Sequence, residues 1–296
     1  MSYLYEIRDL RCSYDKNYRE GISKVVLEVR NLNIPGGKMV FIVGESGIGK
    51  STILETLGLM NNTMVPDSRT MLTFCSGGND SVVDLTQIWS DNNYKLLSDV
   101  RLKHFSFIFQ STNLMRNFSA YENVAFTRML QGYDKESCFE KAREIMAGLG
   151  LEHVDENRMA QELSGGQQQR LAFVRAIIPD FTVLFCDEPT GNLDSENAIR
   201  VMNVLSDKLA KSESASAIIV SHDMHLAISY ADMIIKIRKE ARPKNHEYDE
   251  DIAFGVVDDD CVFVADRSGD KRIWSNGKDT YQDSEFELFL KTKTFD

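Results

Sequence analysis

Long apolar runs are what this sequence of 296 residues most plainly lacks: no stretch approaches the roughly 18 consecutive apolar residues that a membrane-spanning helix needs. It is therefore not expected to cross a bilayer unaided. Basic charge is also short. With 34 Lys and Arg against 45 Asp and Glu, the formal net charge of -11 argues against non-specific binding to nucleic acid, where cations must neutralise phosphates. Paired cysteines are missing too. The five, Cys12, Cys75, Cys138, Cys186 and Cys261, are odd in number and far apart, which excludes the usual zinc and dithiol spacings and predicts reduced, mostly buried thiols. The first residues, Met1 to Glu6, carry neither the basic segment nor the apolar run of a secretory leader, so the expected location is the cytoplasm. What remains, 43% hydrophobic and 27% charged residues, is the composition of an ordinary globular protein. The length exceeds the roughly 100 to 200 residues of one domain, which suggests one large α/β unit with an appendix.

The patterning supports that division. Leu27, Val29, Leu32 and Ile34 alternate with polar residues before Pro35-Gly36-Gly37, as in an antiparallel strand and its turn. Met39 to Val43 is a continuous apolar run of buried-strand length, and Lys50 to Met60 has helical composition. Between about Ser119 and Ile178 the period becomes helical, with Phe139, Ala142, Ile145, Met146 and Leu149 on one face, which predicts a helical subdomain over about 111–178. Thr182 to Cys186, Ala217 to Val220 and Met233 to Ile237 then read as strands of a parallel sheet separated by helices. Residues 241–296 hold 14 Asp or Glu against 8 Lys or Arg, a net 8 − 14 = -6. Strand candidates there, Ile252 to Val257, Cys261 to Ala265 and Arg272 to Trp274, are split by turn residues such as Asp258-Asp259-Asp260, so a small acidic β-rich extension is expected.

Chemistry enters where the apolar run Met39 to Val43 meets glycine. Gly44-Glu45-Ser46-Gly47-Ile48-Gly49-Lys50-Ser51-Thr52 lies between strand and helix, with glycines that let backbone N–H groups close round a phosphate and a helix start that favours an anion. Lys50 then reaches the β- and γ-phosphates of a nucleotide and Ser51 holds Mg2+. The bland alternative is a glycine-rich turn with a chance lysine. A second element, Val183-Leu184-Phe185-Cys186-Asp187-Glu188, delivers two acids at the end of an apolar strand, where Asp187 can complete the metal shell and Glu188 can orient and deprotonate water. Taken alone, its bland alternative is a polar strand end capping a helix. A third, Leu163-Ser164-Gly165-Gly166-Gln167-Gln168-Gln169-Arg170, opens a helix with a second anion-ready N-terminus. One chain has little use for two such sites.

This third motif resembles the signature of the ABC ATPases, and the resemblance resolves the puzzle. In that family two nucleotide-binding domains pair head to tail, so Ser164, Gly165, Gly166 and Gln167 of one subunit are expected to close on ATP held by the other. Further elements match in order: Gln110 after Phe107-Ile108-Phe109 as the Q-loop glutamine, a catalytic and metal-side group; Gly191-Asn192-Leu193-Asp194 as the D-loop; and His222 in Val220-Ser221-His222-Asp223 as the switch histidine. A lone histidine or glutamine is more often structural, so the weight lies on the series. Tyr14 looks like the family's adenine-stacking aromatic, with Tyr18 as its competitor and a core role open for Tyr5 and Tyr14.

The resemblance covers roughly residues 3 to 240. It implies an α/β fold, the ABC-type P-loop NTPase: a mixed sheet core, an antiparallel β edge region, a helical subdomain and here a small β-rich C-terminal appendix. The nucleotide-binding domain would be 1–240 and the extension 241–296. The wording of Phe118 to Val124 and Glu188 to Asp194 is similar to the branch of lipoprotein-releasing, macrolide-export and cell-division ATPases. Such subunits hydrolyse ATP with Mg2+, pair with a second nucleotide-binding domain and act on an integral membrane permease-like partner. The expected location is therefore cytoplasmic and peripheral on the inner face of the membrane, with no nucleic acid partner. A soluble ABC ATPase acting on chromosomes or ribosomes is the alternative, but neither a long coiled-coil insertion nor a tandem domain is present. A scaffold without turnover is opposed by Glu188 and His222. Three departures stand out: Asn61 to Asp91 is longer and more polar than the family's usual hairpin, and an extra surface loop is expected there; Arg158 to Glu162 lacks the proline expected before the signature; and the extension 241–296 carries no family motif, so that removing residues 245–296 is expected to spare hydrolysis while weakening assembly.

Overall fold

The computed structural model describes residues 3–15, 24–77, 82–191, 193–212, 214–242, 252–268 and 271–292. It divides into two compact units, one of residues 1–97 with 220–296 and the other of residues 98–219.

The first unit opens with β1 (Tyr3–Cys12), β2 (Leu27–Pro35), β3 (Met39–Val43) and α1 (Lys50–Leu57). All five residues of β3 are buried, as its unbroken apolar run requires. β1 was not foreseen from its sequence, yet it pairs antiparallel with β2 from Tyr3↔Pro35 to Cys12↔Leu27. The expected surface loop at 61–91 is instead structured: β4 (Met71–Phe74) pairs with β1, β5 (Val83–Asp84) completes a hairpin, and α2 (Leu85–Ser90) follows. Leu72, Phe74, Leu85 and Ile88 are buried, and these apolar anchors within polar sequence fold the segment onto the sheet.

The boundary between the units, after Leu97, falls within α3 (Tyr94–His104). The second unit contains β6 (Phe105–Ile108), α4 (Ala120–Leu130), α5 (Lys135–Gly148), a 3-10 turn at Ala160–Glu162, α6 (Gly165–Ile177), β7 (Val183–Asp187), α7 (Ser195–Ala210) and β8 (Ser216–Val220), in which the order is β8-β7-β6. β6 and β7 are parallel. Helices α4, α5 and α6 lie within 120–177; α4 opens with a capping box between Ser119 and Glu122, which satisfies two otherwise orphaned N–H groups.

Back in the first unit come α8 (Met224–Tyr230), β9 (Met233–Lys236), β10 (Arg238–Arg242), β11 (Ile252–Val257), β12 (Val262–Asp266), β13 (Ile273–Ser275), β14 (Thr280–Gln282) and α9 (Asp283–Lys291). Two sets of neighbours result, β10-β11-β2-β1-β4-β5 and β14-β13-β12-β9-β3. The strands after 251 do not stand apart: β11 runs parallel to β2 and β12 antiparallel to β9. α9 was not anticipated. It is held by an aromatic cluster in which Trp274 and Phe286 stack at 5.0 Å, Phe263 and Phe286 meet at 4.9 Å, and the indole N–H of Trp274 donates to Asp283 Oδ1 at 2.9 Å. Each such aromatic pair contributes about 0.5–1.5 kcal/mol beyond its buried area. That is how an acidic segment secures a core. All five cysteines are free thiols and four are buried; burial pushes Cys12 up to about 11, out of the reactive range.

Candidate functional site

The first unit carries the glycine-rich loop. Gly49 sits at φ 102, a conformation L side chains rarely adopt, and a Cβ there would also lie 3.2 Å from Leu27 Cβ. Released from the strand direction, the chain curls over Lys50, which starts α1. Lys50 is 6% exposed, and its Nζ donates to Gly44 O at 3.0 Å and Glu45 O at 2.7 Å. A buried ammonium is tolerable only where acceptors take its protons. The loop carbonyls do so and hold the charge inside the Gly44–Gly49 cradle. Ser46 and Gly47 are the exposed tip, Ile48 is buried, Ser51 is half-buried and Thr52 is buried.

Tyr14 stands beside this loop, not in the core. It is 53% exposed, with its hydroxyl 3.1 Å from Thr52 Oγ1 and donating to Glu55 Oε2 at 3.2 Å. Tyr5, by contrast, is fully buried and donates to Leu57 O at 3.1 Å. Tyr18 lies outside the described residues. His222 is exposed. Its turn is set by Ser221 N–H donating to Ile42 O at 3.3 Å and by Asp223, whose Oδ1 caps α8 by accepting from Leu226 N–H at 3.0 Å.

The second unit carries the acids and the signature. Val183 to Cys186 are fully buried, so β7 is rigid where Asp187 emerges, half-buried. Glu188 has φ 50. For a residue with a Cβ this left-handed conformation costs roughly 1 kcal/mol or more and persists where surrounding contacts impose it. Here Glu188 O accepts from Gly191 N–H at 3.2 Å, and Glu188 Oε2 accepts from Gln110 Nε2 at 3.2 Å. The register explains the second contact: Ile108 is opposite Cys186 in the parallel β6–β7 pair, so Gln110 and Glu188 leave the sheet in step.

Ser164 is the N-cap of α6: its Oγ accepts from Gln167 N–H at 3.3 Å, while Gln167 Oε1 accepts from Ser164 N–H at 2.9 Å. Gln167 Nε2 also meets His153 Nε2 at 2.9 Å. The box fixes the helix start and commits the Gln167 side chain to it. Gly165 is exposed, and nothing lies within 4 Å of a Cβ built on Gly165 or Gly166. Asp194 caps α7, accepting from Asn197 N–H at 2.9 Å and Asn197 Nδ2 at 2.7 Å; these bonds hold its carboxyl below the usual range. Asn192 lies outside the described residues.

Sequence reasoning missed the hub that α6 forms downstream of its start. Gln169 Nε2 donates to Pro189 O at 3.3 Å, Arg170 Nη1 to Asn197 Oδ1 at 3.0 Å, and Arg175 to Asn113 O at 2.7 Å and Thr112 O at 2.9 Å. One helix thus ties the segment after Gln110, the turn after Glu188 and the cap at Asp194. No spacing rule marks these partners; only their position on the signature helix hinted at it.

The three residues read from the sequence as metal-side, Ser51 in the first unit and Gln110 and Asp187 in the second, each offer an oxygen donor, the chemistry that suits a hard cation such as Mg2+. Among the described residues there is no group of three or more His, Cys, Asp or Glu placed to hold an ion.

The family described as ABC transporter matches residues 27–191. Over 213 residues the chain is 36% identical to the lipoprotein-releasing system ATP-binding protein LolD of Rickettsia bellii, covering 72% of this chain and 87% of that protein. Over 218 residues it is 39% identical to the macrolide export ATP-binding/permease protein MacB of Campylobacter fetus, covering 74% of this chain but only 31% of that protein. The chain therefore spans most of one relative and about a third of the other. Among solved structures, the dimeric MJ0796, a bacterial ABC transporter cassette, superposes with a TM-score of 0.65 at 26% identity over 78% of this chain and 93% of that one. The same cassette in a post-hydrolysis state bound to ADP and Pi gives 0.65 at 27% identity, over 78% of this chain and 93% of that one.

Proposed function

This chain belongs to the ABC transporter family, and from that premise we propose that it pairs head to tail with a second nucleotide-binding domain and powers a membrane-embedded partner. It is an ABC-type ATPase. The observation that carries the pairing is the start of α6: a capped helix N-terminus whose two glycines face open space, in a chain that already holds a complete phosphate loop elsewhere. Such a start is built to receive an anion, and a second subunit's ATP supplies it.

In this reading Tyr14 packs on the adenine, residues Gly44 to Thr52 wrap the phosphates, and Lys50 neutralises the β- and γ-oxygens. Ser51, Asp187 and Gln110 are the residues that would hold magnesium, which would supply charge neutralisation at the transferring phosphoryl group. Glu188 accepts the proton of the attacking water at its carboxylate, Gln110 fixes that carboxylate from 3.2 Å, and His222 donates toward the γ-phosphate. Ser164, Gly165 and Gly166 of the partner close the site, with Asp194 at the pairing surface. The barrier falls chiefly through positioning and charge.

The membrane role rests on the LolD- and MacB-type relatives. Among the described residues no helix is long and apolar enough to cross a membrane. On its likeness to the ATP-binding protein LolD, of which the chain covers 87%, the permease-like component is proposed as a separate protein that holds the ATPase at the inner face of the membrane. The test is Glu188→Gln, which leaves the sandwich able to form but removes the proton acceptor. With ATP the variant should elute as a stable dimer and hydrolyse at least about a hundredfold more slowly. A variant that stays monomeric with saturating ATP would rule out head-to-tail pairing.

A further inference from the structure

We infer that Gly255, on β11 of the acidic extension, is a positioning residue for the phosphate loop; the inference rests on the ATP-binding reading above. β11 lies beside β2 in parallel, Gly255 opposite Leu27, with Gly255 N–H donating to Val26 O at 2.9 Å. A Cβ at Gly255 would overlap the carbonyl oxygen of Ile48, lie 2.8 Å from Ile237 Cγ2 and lie 3.1 Å from Leu27 Cδ1. The contact at the loop is backbone, so it cannot rotate away as a side chain would.

The same neighbours support the loop from below. Leu27 Cβ would lie 3.2 Å from a Cβ at Gly49, and Ile237 O 3.4 Å from one at Gly44, while Ile237 N–H donates to Val43 O at 2.9 Å. Leu27 is thus clamped between Gly49 and Gly255, and Ile237 between Gly44 and Gly255. The Ile48 carbonyl belongs to the peptide whose N–H is that of Gly49, one residue before Lys50. Moving that carbonyl tilts the peptide plane and turns a phosphate-facing amide. β11 therefore sets the height of the loop floor, and only glycine leaves room for it.

The test compares Gly255→Ala with Val256→Ala in the full chain. Val256 is fully buried in a cluster with Val25 and Phe254, so its truncation weakens β11 without touching the loop. Gly255→Ala should raise the Kd and KM for ATP about tenfold or more with kcat at saturation changed by less than about threefold; Val256→Ala should lower Tm with Kd within about twofold of the parent. If Gly255→Ala does not fold, hydrogen exchange on the parent chain decides. ATP should slow exchange in 253–257 together with 44–50. Three results overturn the inference: Gly255→Ala binding ATP as the parent does, Val256→Ala losing as much affinity at equal loss of Tm, or ATP protecting 44–50 with 253–257 unchanged. A parent chain that binds no ATP sinks the ATP-binding reading and this inference together, so the two failures are distinct.

Discussion

The two glycine-rich turns, 44–49 and 164–166, face opposite circumstances. The first is closed: its lysine is buried, the carbonyls of Gly44 and Glu45 accept from that lysine, and a methyl group on Gly44 or Gly49 would be crowded in a left-handed backbone. The second is open: Ser164 and Gly165 are exposed, its geometry comes from one local capping box, and there is space around both glycines. A closed turn fixes its ligand contacts through the fold; an open one leaves half its environment to a partner. The same residue type therefore means different things, a steric necessity at Gly49 and an access requirement at Gly165.

The largest effect that would break this contrast is expected from Lys50→Ala. Removing the cation inside the closed turn should lower ATP affinity on the order of a hundredfold or more, since several charge-assisted bonds to phosphate go together. Calorimetric titration checks it, and unchanged affinity would remove Lys50 from its role. A smaller and differently distributed effect is expected from Ser164→Ala. Loss of the cap should cost about 1 kcal/mol of stability. ATP affinity of the single subunit should stay within about twofold, and ATP-driven dimerisation measured by sedimentation should weaken about tenfold. Equal loss of both would mean the open turn serves its own subunit's nucleotide.

The smallest effect sharpens the closed side. Lys236 is buried where β9 ends, donates to Phe289 O of α9 at 2.7 Å, and has its pKa lowered by burial from 10.5 to about 8. The folded value lies below the unfolded one, so between about pH 8 and 10.5 the unfolded chain binds more protons and this group adds stability as pH rises. Lys236→Met should flatten that rise in a series of thermal melts, and an unaltered slope would assign it to other groups.

Much of this is legible in the sequence. Met39 to Val43 announced a buried strand because a parallel strand covered on both faces has no polar alternation, and the glycine, lysine and acid positions followed from the chemistry of phosphate. Subtler elements were hidden for physical reasons. The segment 61–91 reads as polar loop because only a few anchors, Leu72, Phe74, Leu85 and Ile88, carry its packing. The extension reads as a separable appendix because register between distant strands leaves no local mark. Nothing around Gly255 signals that its missing side chain matters 207 positions earlier, at Ile48. The expectation that residues 245–296 can be removed without cost to hydrolysis has therefore lost its footing.

The stepwise exit of Gln110 and Glu188 from β6 and β7 has a consequence for how such a chain can change over generations. Side chains alternate faces along a strand, so deleting one residue from 105–108 or from 183–187 would send one partner to the opposite side of the sheet. Substitutions can accumulate in either strand. Gains and losses of single residues cannot, unless both strands change length together, and variation in length is left to the connections between helices, such as the turn at Gly132.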